Sequence, residues 1–186
     1  MKIFFYCAGI ISIGILLIAC PAHNKNDNTH IKEVTELIAQ SDADSIFFDF
    51  QDSCYNGTEL IWKLKASKAF LYTTNNIQTL KLLECRFVLY KNGQESASLT
   101  SDTAVYDDKD KNVYASGNVV AVSEDGSTIY SDSLTLLRNQ EKIVTDDYVE
   151  IIQEDGSKIT GTGMETDYQA EEITIYNSRG SNPRGI

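Results

Sequence analysis

Between Ile31 and Asn182 the chain contains neither proline nor histidine; its prolines are Pro21 and Pro183, its histidines His23 and His30. Proline has no N–H to give to a strand ladder, so so long a stretch without one permits long, unbroken strands. The missing histidines exclude a Ser-His or Cys-His nucleophile pair, an H-E-x-x-H zinc site and an imidazole base from the body of the protein. The chain therefore reads as a non-enzyme with no cofactor and no metal. Positive charge is scarce as well. Sixteen basic and 27 acidic residues in 186 give a net charge of −11, which argues against sequence-independent nucleic-acid binding and against docking on anionic lipid through a polybasic surface. At roughly 150 residues per domain, the length suits one domain with appendages.

What is present begins with an export signal. Met1-Lys2 forms a short positive region, and Ile3 to Ala19 follows without a single charge. Its ending, Leu17-Ile18-Ala19-Cys20, resembles the bacterial lipobox, in which the cysteine thiol is lipidated and the chain is cleaved before it. Residues 1–19 thus read as a lipoprotein signal peptide, with Cys20 as the lipidation site and first mature residue. Residues 20–44 read as a tether, since Pro21 to Thr29 shows no apolar periodicity. Ile31, Val34, Leu37 and Ile38 have a short helical spacing compatible with two turns or with loose linker. Of the four cysteines, Cys7 leaves with the signal and Cys20 is lipidated. Cys54 and Cys85 remain, either as a disulfide permitted by an oxidising compartment or as small apolar strand residues.

From Ile46 onward the hydrophobic period is two. The sequence predicts strands over 46–55, 58–72, 77–91, 96–106, 112–122, 127–137, 142–152, 157–167 and 171–177, which is an all-β open antiparallel roll of nine or ten strands spanning 45–180, with 181–186 as a tail. Turn chemistry lies between them at Asn56-Gly57, Asn92-Gly93, Asp107-Asp108-Lys109-Asp110, Glu124-Asp125-Gly126 and Glu154-Asp155-Gly156. The Asn56-Gly57 pair predicts a hairpin with both residues at positive φ. Asn56-Gly57-Thr58 also matches a glycosylation sequon, but the turn accounts for it. The acidic clusters at 107–110 and at Asp146-Asp147 lack EF-hand spacing and read as solvated turns rather than as paired catalytic or calcium-binding carboxylates.

An internal repeat organises the strands. A shift of 30 residues lays Ser101-Asp102 on Ser131-Asp132, Val113 on Ile143 and Ile173, Val119 on Val149, Glu124-Asp125-Gly126 on Glu154-Asp155-Gly156, and Ile129 on Ile159. A looser copy shifted by 35 lays Leu64-Lys65-Ala66-Ser67 on Leu99-Thr100-Ser101-Asp102. Two-strand units that cannot bury a face alone stack into solenoid-like rolls. Because Glu150 must point outward, Val149 and Ile151 point inward, and the repeat carries that assignment to Val119, Ala121, Val113 and Ile143. Ile129 has the opposite parity to Leu134 and Leu136, which predicts a bulge near Ser131 to Ser133.

The order of Trp62-Lys63-Leu64-Lys65-Ala66, Leu99-x-Ser101-Asp102-x-Ala104-x-Tyr106, Gly117-Asn118-Val119-Val120, Ser131-Asp132-x-Leu134, Val144-Thr145-Asp146 and Ile159-x-Gly161-x-Gly163 resembles the LptC family of lipopolysaccharide export over about residues 45 to 180. That resemblance implies an open β-jellyroll with a hydrophobic groove. It implies a periplasmic component, here anchored to the inner membrane by a lipidated cysteine instead of the family's transmembrane helix. It further implies transfer of lipopolysaccharide, or a related glycolipid, from an inner-membrane LptBFG-type ABC transporter to an LptA-like bridge protein through strand-edge pairing. The groove candidates are Trp62, Leu64, Leu99, Val113, Val119, Ala121, Ile129, Leu134, Leu136, Ile143, Val149, Ile151, Ile159, Ile173 and Ile175. The competing reading is a scaffold lipoprotein whose aliphatic ladder is simply a closed core.

Overall fold

The computed structural model describes residues 41–167 and 173–181. The signal peptide, Cys20, the tether up to Gln40, the helical spacing at 31–39 and the tail beyond Ser181 lie outside the described residues. Ten strands run in chain order: β1 (Ser45–Asn56), β2 (Glu59–Thr74), β3 (Ile77–Lys91), β4 (Gln94–Asp107), β5 (Val113–Val122), β6 (Thr128–Leu137), β7 (Lys142–Ile152), β8 (Lys158–Asp167), β9 (Ile173–Ile175) and β10 (Arg179–Ser181). They form one antiparallel sheet in which β1 to β8 follow sequence order, while β9 and β10 both pair with β8. A single 3-10 turn, Arg138–Gln140, separates β6 from β7.

Turns set the register. Asn92 and Gly93 both take positive φ (54° and 77°) between the paired residues Lys91 and Gln94, the geometry that matches strand twist in a two-residue hairpin. Asn56-Gly57 behaves differently from the expectation. Asn56 stays in β1, opposite Glu59, and the two-residue loop is Gly57-Thr58 with Gly57 at φ 63°. A register shift between Cys54 and Tyr55 moves the turn along by one residue, so only the glycine at the first central position needs the left-handed region. The final expected strand, 171–177, is also different: its described part is Ile173–Ile175, and the chain resumes pairing at Arg179–Ser181. Tyr176 bridges these segments through hydrogen bonds with Thr162 and Gly163 (both 3.0 Å).

One line of irregularity crosses the whole sheet. Direct pairing skips Asp49 in β1, Ser67 in β2 and Glu84 in β3, with Asp49 and Glu84 at φ 50° and 49°. The register then shifts between Thr100 and Thr103, Ser116 and Val119, Ser131 and Thr135, and Thr145 and Tyr148. The bulge expected near Ser131 to Ser133 is one member of this line. Bulges bend strands and increase their twist; aligned from β4 to β8 and continued by the skipped residues of β1 to β3, they bend the sheet along a seam. Residues from both sides of it then meet. Ala115, Leu134 and Met164 from one side pack with Val119, Ile129, Val149 and Ile151 from the other, and Val149 is 0% exposed, a burial no flat single sheet could provide. A smaller cluster of Ala66, Ala69, Leu82, Cys85 and Ala104 lies beneath β2 to β4.

Cys54 and Cys85 do not form a disulfide. Cys54 in β1 sits opposite Trp62, and Cys85 in β3 sits opposite Ala66, with β2 between them. Two strand spacings, about 9.6 Å, exceed the reach of a disulfide. Cys85 is instead a buried core residue whose Sγ lies 2.9 Å from Ser101 Oγ.

Candidate functional site

Antiparallel pairing carries one inward row across seven strands. Leu64 is opposite Phe87, Phe87 opposite Leu99, Leu99 opposite Ala121, Ala121 opposite Ile129, Ile129 opposite Ile151, and Ile151 opposite Ile159. At about 4.8 Å per strand the row extends roughly 29 Å. Its last three members open into a cleft of about 300 Å³, closed on the far side by Ile173 and Ile175 of β9 and rimmed by Ser123, Asp125, Ser127 and Gln153 from the turns.

Two local devices build this cleft. The first is the repeated turn. Gly126 N–H donates to the Ser123 carbonyl at 3.0 Å, and thirty residues on Gly156 N–H donates to the Gln153 carbonyl at 2.9 Å. Asp125 and Asp155 accept from the backbone N–H of Ser127 and Ser157 at 3.0 and 2.8 Å. Hydrogen bonds from Ser123 and Ser157 side chains lead in holding these two carboxyls below the usual aspartate range. The rim therefore stays ionised and polar at neutral pH. The second device is Gly161. A Cβ there would sit 2.3 Å from Ile175 Cγ2 and 2.6 Å from the Tyr176 carbonyl oxygen, so only glycine lets the edge segment lie close enough to wall the cleft.

The fifteen groove candidates separate by depth. Ile129, Ile151, Ile159, Ile173 and Ile175 line the cleft; Leu64, Leu99 and Ala121 extend its floor along the row. Trp62 lies in the adjoining row opposite Leu89, with its ring 5.7 Å from Phe87. Val113, Leu136 and Ile143 form a row across the seam with Leu71, Leu80 and Tyr106. Val119, Leu134 and Val149 are less than 2% exposed and make the closed part of the core. The sequence reading passes over Phe87, because the repeat does not extend to β3, and over Met164, which follows two glycines in β8. It also passes over the rim residues, although the repeated turn marks them.

The acidic loop at 107–110 is occupied with its own structure. Tyr114 Oη donates to Asp110 at 2.6 Å, Tyr106 Oη to Asp108 at 3.2 Å, and Lys111 pairs with Asp108. Among the described residues no group of three His, Cys, Asp or Glu side chains is placed to hold a metal ion.

Compared with known proteins, the chain matches the lipopolysaccharide-assembly, LptC-related family over residues 11–182. The chain belongs to this family. No curated protein matches it. Among solved structures it is similar to LptH of Pseudomonas aeruginosa, described as the LptA homologous periplasmic component of the conserved lipopolysaccharide transport device. The identity is 14%, covering 70% of this chain and 80% of that one, with a TM-score of 0.41. Membership in the LptC-related family places the protein in lipopolysaccharide transport, as a transport component rather than an enzyme.

Proposed function

We propose that the protein is a lipid-anchored periplasmic carrier that accepts the acyl chains of lipopolysaccharide, or of a related glycolipid, in the isoleucine cleft and passes the lipid onward. The observation that carries this reading is the continuous row from Leu64 to Ile159, which ends in a cleft with an apolar floor and a polar rim. Each methylene moved from water onto such a floor contributes about 0.8 kcal/mol, and no reacting group is needed. Cys20 would hold the domain at the inner membrane. Lipid would arrive from an LptBFG-type ABC transporter and leave to an LptA-like bridge.

Edge pairing supplies the route. Among the described residues β1 has no neighbour beyond β2, and the opposite edge is formed by β9 and β10. Unpaired N–H and C=O groups on such edges are templates for another strand. The burial of Val119, Leu134, Val149 and Met164 favours the second reading, a scaffold with a closed core. Photo-crosslinking separates the two. A benzophenone side chain at Ile129, Ile159 or Ile173 is expected to label lipopolysaccharide, whereas one at the outward Tyr130 or Glu150 is not. Labelling confined to the outward positions would remove the carrier reading.

A further inference from the structure

The fold sorts charge in a way the net value hides. Residues 59–91, which hold β2 and β3, carry six basic and two acidic side chains, whereas residues 94–167 carry five basic and sixteen acidic ones. Five of the six cations point to the outward face. Lys65 lies directly opposite Arg86, Lys63 opposite Ser53 and Val88, Lys68 opposite Phe48 and Leu83, and Lys81 opposite Phe70 and Val105. Like charges paired across strands destabilise a sheet, and Lys65 with Arg86 is such a pair. Arg86 is partly offset by Glu95 at 3.0 Å. Among the described residues Lys63, Lys65, Lys68 and Lys81 make no ion pair, while Lys91, Lys111, Lys142 and Lys158 each have a carboxylate partner. Lys68 has instead the Phe48 ring, 6.0 Å from its Nζ.

The surroundings keep this band distinct. The acidic side chains of β2 and β3 are Glu59, at the turn end of β2, and Glu84, on the seam; Glu95 of the neighbouring β4 is already paired with Arg86. Beyond it, the β4 residues paired with these rows, Ser98, Thr100, Thr103 and Val105, are uncharged, and the seam carboxylate of β4, Asp102, accepts a hydrogen bond from Asn118 at 2.7 Å. Two strand spacings exceed the Debye length of about 8 Å at physiological salt, so the carboxylates of the later strands scarcely cancel the band's field. From Lys63 to Phe70, opposite Lys81, the band runs roughly 23 Å along the strands. The isoleucine cleft does not lie on it, and its extended spacing suits a flat array of anions and not one small ligand.

We propose that the outward face of β2 and β3 docks against the anionic phosphate surface of the membrane leaflet beside which the protein is tethered, and so orients the domain. The inference takes from the proposed function only the tether that keeps the domain near a leaflet. β1, where the chain enters the sheet, is the strand next to β2, so the band lies at the tethered end. Tethering raises the effective concentration of that surface, and four unpaired lysines suffice to bias orientation. The acidic strands β4 to β8 then face away from the leaflet.

The test is amine labelling of the full chain reconstituted in vesicles of phosphatidylcholine alone or with 30% phosphatidylglycerol, read by mass spectrometry at each lysine. Labelling of Lys65 and Lys81 is expected to slow at least threefold in the anionic vesicles at low salt and to recover at high salt, with Lys109 and Lys111 unchanged. In Lys63→Glu/Lys65→Glu/Lys68→Glu the slowing of Lys81 disappears. Equal labelling in both vesicles, or protection conferred only by an added protein, overturns the proposal. Loss of the chain from neutral vesicles on flotation is a failure of the tether instead; slowing of Lys65 and Lys81 on adding anionic vesicles still decides the docking.

Discussion

The strands before the 30-residue repeat and those within it solve the same packing problem with different material. β1 to β3 are 12, 16 and 15 residues long, and the cluster under β2 to β4 is built largely of Ala66, Ala69, Ala104 and Cys85 around one leucine, Leu82. β5 to β8 are 10 or 11 residues long and bury Val119, Ile129, Leu134, Val149, Ile151 and Met164. Small side chains remove little apolar area each, so this cluster relies on ladder length and small contacts, with Phe70 and Val88 buried outside it. The repeat relies on branched aliphatics brought together across the seam. Stability and the cleft therefore have one source. The isoleucines that line the opening continue the rows that close the core.

The largest test of that contrast is Leu134→Ala against Leu82→Ala. Both leucines are buried, 1% and 3% exposed, but Leu134 is surrounded by large side chains that leave a cavity when it is truncated. We expect a loss of about 3–5 kcal/mol for Leu134→Ala and about 2–3 kcal/mol for Leu82→Ala in urea unfolding; equal losses would dissolve the distinction. Gly161→Ala comes next. Its Cβ collides with Ile175 and the Tyr176 carbonyl, so the edge segment should move off β8. The expected loss is about 1–3 kcal/mol, with faster amide exchange at Tyr176 than at any residue of β2.

The smallest effect is on acid stability. The carboxyls held below the ordinary aspartate value, Asp108, Asp110, Asp125 and Asp155, all lie in the loops from β4 onward, through hydrogen bonds led by Lys111, Tyr114, Ser123 and Ser157 respectively. A depressed folded pKa contributes stability that is present above the unfolded value of 3.8 and is lost as pH falls through the folded one. Thermal melts should therefore be level from pH 7 to about 5 and fall below about 4. Hydrogen exchange in that range should rise first in the 107–112, 123–127 and 153–157 turns; a first rise at the 92–93 turn would contradict it.

Much of this was written in the order of residues. Alternation from Ile46 onward and turn residues such as Asn92-Gly93 and Gly126 define strands whose limits differ from the observed ones by no more than two residues through β8. The repeat carries the inward assignment of Val149 to Val119, and the parity conflict between Ile129 and Leu134 marks the bulge. Local sterics suffice for these features, because strand parity and turn φ depend on neighbours in the chain. Asn56-Gly57 shows the limit of such reasoning: a cross-strand register shift at Cys54 decides which residue enters the left-handed region.

The sequence by itself determined the β class, most of the turns, the inward faces and the family. Only the tertiary structure decided which inward residues are sealed and which are open, since parity gives a face and the bend along the seam decides how deeply each row is covered. It also decided that Cys54 and Cys85 stay apart and that four lysines with no ion pair among the described residues gather in one band. A net charge of −11 is a sum without positions; pairing β2 with β3 supplies the positions, and with them a cationic face on an acidic protein.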